Sequence, residues 1–163
     1  MGGSSFEGTV QPASGITLDD FRRFHEHDWI TARQLYAEDF GVSEEFGLKK
    51  MFGDNRYVLA ARTMVRSMSK RDSSAWAYYV DFVPTSRAEE WPGTPHGVDG
   101  YYLWRGEAAG DPQMAALSRR LQGYWSNFAR SGNPNGPSLL GWPAYQASRD
   151  QWLVFDDEDQ VRA

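Results

Sequence analysis

His96 is the residue whose neighbours best suit acid–base chemistry. It stands between Pro95 and Gly97, in a loop that follows the most strand-like stretch of the chain. A histidine on such a loop can take the proton of a serine nucleophile and later protonate the leaving group, because the pKa of an imidazole lies near neutrality. An ordinary surface histidine would fit the same position, and the local sequence leaves both interpretations open.

Glu7 is the candidate partner of that histidine. It lies in a glycine-rich stretch, Gly2-Gly-Ser-Ser-Phe-Glu-Gly8, close to the first residue. A carboxylate can hold an imidazole in one tautomer and stabilise the imidazolium that forms during catalysis. Judged by its neighbours alone, Glu7 is better explained as an exposed glutamate near a chain end.

Two further groups of polar residues match short functional patterns. The stretch 25–28 has the composition of a metal site, but residues two apart on a helix point to different faces. We therefore do not expect His25 and His27 to share an ion. Ser67 and Lys70 match the S-x-x-K pattern of serine enzymes that use a lysine base, a pattern short enough to arise by chance.

The parts that would complete a serine hydrolase are missing from this sequence. Its 163 residues contain neither a G-x-S-x-G motif nor a Gly-Gly-Gly stretch. The first presents a nucleophilic serine on a strained turn, and the second supplies backbone amides that stabilise an oxyanion. We therefore expect negligible ester hydrolysis by this chain alone.

The elements that must position these residues are mostly helical. Apolar spacing predicts helices over about 18–38 and 43–51, a third helix capped by Asp54, and a last helix opened by Asp111-Pro112. The chain reads as one unit without a linker. Its predicted parts are an acid loop (1–16), a helical cap region (17–71), a strand (75–82), a histidine loop (83–104), a helix (111–131) and C-terminal strands (139–155).

The stretch 75–82 is the best strand candidate. It is nearly continuous in aromatic and β-branched residues, which predicts that both of its faces are covered. Prolines and glycines stiffen the loop that follows. Two further short strands are predicted around Trp142–Tyr145 and Trp152–Phe155, and the acidic run 156–159 is expected to be a solvated end.

Composition excludes several classes of partner. The net charge of −5 and the pI near 5.2 disfavour nucleic acid. No run of apolar residues is long enough to span a membrane. The sequence shows no signal peptide and has no cysteine, which excludes disulfides and thiolate metal sites and leads us to expect a cytoplasmic protein.

Several stretches resemble the type B carboxylesterase and cholinesterase family, in that family's order. Residues 94–104 resemble its G-x-x-H-G-x-[DE]-x-x-[YF]-[VL]-F segment, and residues 124–136 resemble Y-W-x-N-F-A-R-x-G-x-P-N-G, followed by W-P-x-Y at 142–145. Residues 2–8 are similar to the G-x-x-x-x-E-G loop, and residues 77–82 are similar to the strand before the histidine loop.

The resemblance implies an α/β fold: the C-terminal portion of an α/β-hydrolase, mostly helical, with one hydrolase strand at about 75–82 and short C-terminal strands. It implies a serine carboxylic-ester hydrolase in which His96 is the triad base and Glu7 the triad acid. The substrate would be a small carboxylic ester, and no metal or cofactor is needed. Aromatic residues from helices near 40–70 would help form an apolar pocket. The alternative is a non-catalytic interaction module, since the same family contains adhesion proteins.

The resemblance also carries expectations about the rest of the fold. The strand that leads into Glu7 is expected to precede this chain. The strand at 75–82 would then have unpaired edges and exposed apolar faces. We accordingly expect a chain that is poorly stable alone, or one that pairs with a separate N-terminal esterase half or with itself.

Overall fold

The computed structural model describes residues 2–4, 18–24, 26–71, 74–105 and 110–163. In these ranges the chain is mostly helical, with one sheet whose strand order is β1-β2-β3-β4. The strands are β1 (Gly2–Ser4), β2 (Tyr78–Val80), β3 (Trp152–Phe155) and β4 (Gln160–Arg162). The α-helices are α1 (Leu18–Phe24), α2 (Trp29–Leu35), α3 (Ala37–Val42), α4 (Glu44–Gly53), α5 (Leu59–Ser69), α6 (Val98–Arg105) and α7 (Pro112–Ser131).

The strand β2 lies in the middle of the sheet. It pairs in parallel with β1 on one side and with β3 on the other, while β3 and β4 are antiparallel. The prediction that β2 has unpaired edges is therefore wrong. A strand precedes Glu7 within this chain, at Gly2–Ser4, although its polar and glycine-rich sequence carries no strand signal.

Both faces of β2 are covered, as its continuous apolar sequence predicted, so the expectation of exposed apolar faces on a lone strand is wrong. Side chains alternate across a strand. Val80 and Phe82 belong to one core cluster with residues of α6, α7 and β3, against which Trp76 and Tyr78 also pack. Ala75 and Ala77 belong to a second cluster with residues of α5, against which Tyr79 packs. The strand that precedes His96 is thus fixed from both sides.

The helix predicted over 18–38 is broken into shorter pieces. Trp29 packs edge to face against Phe40, with 5.8 Å between the ring centroids. On one straight helix those residues would lie about 16 Å apart along the axis, so the chain must bend between them. The bend falls at Tyr36, whose φ of −109° and ψ of 28° separate α2 from α3.

The cap predicted at Asp54 is absent because its side chain is used elsewhere. Asp54 has helical backbone angles, and its carboxylate accepts a hydrogen bond of 3.0 Å from the hydroxyl of Tyr36. The chain therefore stays helical from α4 through a π-helical segment, Asp54–Val58, into α5. We call Asp54–Val58 the π segment.

The C-terminal region also differs from its prediction. Trp142–Tyr145 lies beside the segment that leads into β2, where the Tyr145 amide donates to the carbonyl of Ala75, but it forms no strand because Pro143 lacks an N–H. The acidic run is not a solvated end. It forms the turn between β3 and β4, and the Asp159 side chain is 4% exposed and pairs with Arg120 at 2.9 Å.

Candidate active site

The loop that carries His96 is tied back to the strand it leaves. The carbonyl of Phe82, just beyond β2, accepts a hydrogen bond of 3.0 Å from the Thr94 hydroxyl and one of 3.4 Å from the Tyr102 hydroxyl. Thr94 is fully buried. Because both ends of the loop converge on one carbonyl, the backbone at His96 has a defined position relative to the sheet.

A second contact fixes the helix that follows His96. The hydroxyl of Tyr78 donates to the Asp99 carboxylate across 2.7 Å, which joins β2 to the first turn of α6. Burial, reinforced by the charge of Asp99, raises the pKa of Tyr78 well above its usual value. The phenol therefore stays a neutral hydrogen-bond donor at every physiological pH.

The loop is shorter than predicted, since α6 begins at Val98 and leaves His96 near the helix N-terminus. Gly97 makes this turn possible with a φ of +82°, a conformation that L-residues with a side chain rarely adopt. His96 itself is exposed. The backbone thus places the imidazole on the surface of a rigid strand–loop–helix frame.

The conformation of Gly97 gives a testable stability effect. We expect Gly97→Ala to lower the free energy of unfolding by about 1–2 kcal/mol, because alanine is strained at positive φ. Crowding is not the cause, since nothing lies within 4 Å of a Cβ built at Gly97. Gly100→Ala is the matched control: it is equally uncrowded but lies within α6. It should be neutral or stabilising by up to about 1 kcal/mol, and equal losses in urea unfolding would contradict the argument.

Tyr57 lies directly against His96. The two rings are parallel, with an interplanar angle of 9° and 3.3 Å between centroids. Tyr57 belongs to the π segment, so an element far upstream reaches the histidine loop. Sequence reasoning missed this contact because Tyr57 fits the apolar stripe of a helix and carries no sign of its long-range partner.

His96 also borders an open groove of about 860 Å³, which we call the histidine groove. Its lining includes Arg87, Trp91, Pro95, His96, Val98 and Tyr101. Arg87 pairs with Glu90 at 2.6 Å and lies over the Trp91 ring. The groove offers an apolar wall beside charged groups, which suits a small ligand that has both polar and apolar parts.

A smaller and more apolar cavity of about 280 Å³ lies elsewhere, towards the amino end of β2. Its walls include Met68, Trp76, Trp125, Phe128 and Trp142. The family resemblance predicts that aromatic residues from helices near 40–70 help form an apolar pocket. Apart from Met68 of α5, this cavity is built from residues 74–78, α7 and the segment after α7, whereas Tyr57 of the π segment contacts His96.

Glu7 itself lies outside the described residues, but the strand before it does not. Parallel strands have their carboxyl ends at the same edge of a sheet. Since β1 and β2 are parallel neighbours, the chain leaves both at one edge, towards Glu7 from Ser4 and towards His96 from Val80.

The other candidate residues gain no support as sites. His25 lies outside the described residues, and His27 is exposed on the short 3-10 helix Glu26–Asp28. No cluster suited to a metal occurs among the residues that the structure describes. Ser67 and Lys70 are exposed at the end of α5, outside the cavities described above. None of the described helices is long and apolar enough to cross a membrane.

The π segment begins at a carboxylate whose pKa is perturbed. Burial raises the pKa of Asp54 and Asp39 adds to the rise, while Lys50, the Tyr36 hydrogen bond and Arg62 oppose it. A pKa that is higher in the folded than in the unfolded state favours folding at low pH. That contribution is lost as pH rises through the folded-state value.

We therefore expect Asp54→Asn to change the pH dependence of stability. Asparagine keeps a carbonyl that can accept from Tyr36 but carries no charge. The free energy of unfolding of the wild type minus that of Asp54→Asn should decrease between about pH 3 and pH 7. Urea unfolding across that range measures the difference. Asp157→Asn, at an exposed turn residue, is the control, and a pH-independent difference for Asp54→Asn would contradict the assignment.

Comparisons with known proteins identify relatives that match the part of the chain around His96. The sequence profile of the carboxylesterase family matches residues 24–163. Acetylcholinesterase of Bungarus fasciatus is 33% identical over 119 residues, which are 68% of this chain and 20% of that protein. Carboxylesterase 1C of Mus musculus is 31% identical over 153 residues, 85% of this chain and 27% of that protein. Liver carboxylesterase of Sus scrofa is 29% identical over 123 residues, 71% of this chain and 21% of that protein.

The chain thus spans between a fifth and about a quarter of the length of these relatives. The profile match covers most of the chain, from the last residue of α1 to residue 163, and includes the histidine loop and the sheet from β2 to β4. This chain belongs to the carboxylesterase family.

Proposed function

We propose that this chain is the C-terminal portion of an α/β-hydrolase that hydrolyses small carboxylic esters, and that it supplies the triad base His96 and the triad acid Glu7. The nucleophilic serine and the oxyanion donors would come from a further part of the enzyme. That part is either joined to this chain or supplied as a separate N-terminal half. The relatives' names, carboxylesterase and acetylcholinesterase, support an ester substrate.

The observation that carries the proposal is the parallel pairing of β1 and β2. Base and acid in a triad must approach within hydrogen-bond distance, although they are far apart in sequence. A short stretch leads from Ser4 to Glu7, and a tied loop leads from Phe82 to His96. Both depart from the same edge of the sheet, which supports their meeting there.

The chemistry follows from the two side chains. His96 would accept the serine proton as the hydroxyl attacks the ester carbonyl, and would then donate it to the departing alkoxide. An acyl-serine forms and the alcohol leaves. In the second half His96 takes a proton from water, which attacks the acyl group. As the bond from the acyl carbon to the serine oxygen breaks and the acid leaves, His96 returns that proton to the serine oxygen. Glu7 would bond the other ring nitrogen and stabilise the imidazolium.

An exchange of segments tests the proposal. The chimera keeps the N-terminal part of mouse Carboxylesterase 1C. This chain replaces the segment of the mouse enzyme that it matches. We expect the chimera to hydrolyse a p-nitrophenyl ester, while the 163-residue chain alone does not. Turnover by the chain alone would contradict the proposal if it disappears in His96→Ala, because a nucleophile would then exist within these residues.

A measurement on the chain alone covers the case in which the chimera does not fold. An imidazole N–H bonded to a carboxylate gives a strongly downfield proton resonance. We expect one from His96 that disappears in Glu7→Gln and in His96→Gln but persists in His27→Gln. An inert chimera that folds, together with no such resonance, would favour the non-catalytic interaction module.

A further inference from the structure

The Tyr57–His96 stack is closer and flatter than the other aromatic pairs of the structure. Every other ring pair among the described residues lies at 5.2 Å or more between centroids and is tilted or edge to face. Tyr57 and His96 are instead parallel within 9° at 3.3 Å. The exposed imidazole of His96 therefore lies flat against the Tyr57 ring.

Tyr57 is itself held by its own element. It lies in the π segment, whose first residue, Asp54, is bonded to Tyr36. The guanidinium of Arg56 lies 5.6 Å from the Tyr57 ring centroid and 5.7 Å from that of Phe52. A π segment shifts the helical register, which redirects a side chain relative to a continuous α-helix. The register change and these contacts set the direction of the phenol ring.

Tyr57 contacts the face of the His96 ring and not its edge, and this decides which hydrogen bonds the imidazole can form. Both nitrogens of an imidazole form hydrogen bonds in the plane of the ring, whereas Tyr57 covers a face. Stacking therefore does not block the in-plane directions along which an imidazole bonds a carboxylate and a serine hydroxyl. It opposes rotation of the ring about its bond to Cβ, because rotation would separate the two rings.

We infer that Tyr57 is a positioning residue for His96, one that fixes the plane of the imidazole so that its two nitrogens point along the line from acid to nucleophile. This inference rests on the proposed role of His96. It assigns to the π segment a function that the apolar stripe of its sequence does not suggest. The role depends on the ring face of Tyr57 and not on its hydroxyl. We therefore expect phenylalanine at this position to keep the His96 ring in place and leucine to lose that effect.

NMR and chemical modification of the 163-residue chain test the contact. Stacking places the His96 ring protons above an aromatic ring, which moves their resonances upfield. In Tyr57→Leu these resonances should move downfield, and carbethoxylation of His96 by diethyl pyrocarbonate should be about three- to tenfold faster. Tyr57→Phe should resemble the wild type in both. Unchanged His96 resonances and an unchanged modification rate in Tyr57→Leu would overturn the inference.

The chimeric esterase tests the positioning role. Tyr57→Leu should lower kcat by about 10- to 100-fold with little change in KM, since misplacing a catalytic group reduces the rate of the chemical step. Tyr57→Phe should retain the activity. If kcat in Tyr57→Leu is unchanged while His96→Ala abolishes turnover, positioning is overturned and the proposed function stands. If His96→Ala leaves turnover intact, the proposed function fails, and the positioning role fails with it.

Discussion

Replacement of His96 by alanine is expected to lower the kcat of the chimeric esterase by about 10⁴-fold or more. Without the imidazole, no group takes the proton of the serine during attack or returns one to the alkoxide during departure. Both half-reactions lose the same catalyst, so acylation and deacylation should slow together. Initial rates with a p-nitrophenyl ester, followed over a range of substrate concentrations, separate kcat from KM.

The measured loss should lie in kcat. His96 is exposed at the end of the tied loop, and most of the lining of the histidine groove comes from other residues. KM should therefore change far less than kcat. The frame of the loop does not depend on the imidazole, because Thr94 and Tyr102 are bonded to Phe82 independently of it. His96→Ala should accordingly unfold at nearly the same urea concentration as the unchanged chimera.

His27→Ala is the matched control for this variant. His27 is also exposed, but it lies on the 3-10 helix Glu26–Asp28. Its replacement should leave kcat within about twofold of the starting value, since surface substitutions away from special features have small effects. A chimera that stays fully active in His96→Ala, or loses equal activity in both variants, would exclude His96 as the general base.

Elements with local signals were predictable from the sequence. The helix α7 begins at Pro112, where Asp111 accepts from the amides of Gln113 and Met114 at 2.8 Å and 3.2 Å. It ends at Gly132, which has a φ of +73°. Each of these features depends on residues within a few positions of one another. The strand around β2 was predictable for a similar reason, because its unbroken apolar run requires cover on both faces.

Features decided by distant partners were not predictable. The sequence of β1 is Gly-Gly-Ser, and only pairing with β2 makes it a strand. Asp159 belongs to a run of acidic residues that suggests a solvated end, yet Arg120 of α7 draws it into the interior. In both cases the structure depends on contacts between positions widely separated along the chain, which local composition does not encode.

The candidate site shows the same difference between local signals and long-range contacts. His96 and Glu7 are candidates because short motifs surround them, whereas Tyr57 is a candidate only because of its contact with His96. A positioning residue needs only a flat side chain in the right place, so its sequence context is that of any half-buried aromatic residue. Contacts of this kind are therefore visible only once the π segment and the histidine loop have been brought together.

The sheet beneath the site should depend strongly on Phe155, the last residue of β3. We expect Phe155→Ala to lower the free energy of unfolding by about 3–5 kcal/mol. The ring is fully buried, and it contacts Tyr78, Tyr124 and Trp142 edge to face at centroid distances of 5.6–6.0 Å. Its removal leaves a cavity that these large rings cannot fill without losing their own contacts.

Phe128→Ala provides the matched control for this loss. Phe128 is the same residue type but is 51% exposed on α7. Its truncation should therefore cost about 1 kcal/mol or less, because little apolar surface returns to water. Urea unfolding monitored by tryptophan fluorescence compares the two. The expected loss at Phe155 is comparable with the whole stability of many domains, so Phe155→Leu, which retains most of the volume, gives an intermediate value if the alanine variant does not fold. Equal losses at Phe155 and Phe128 would show that the cluster around β2 and β3 does not hold this sheet together.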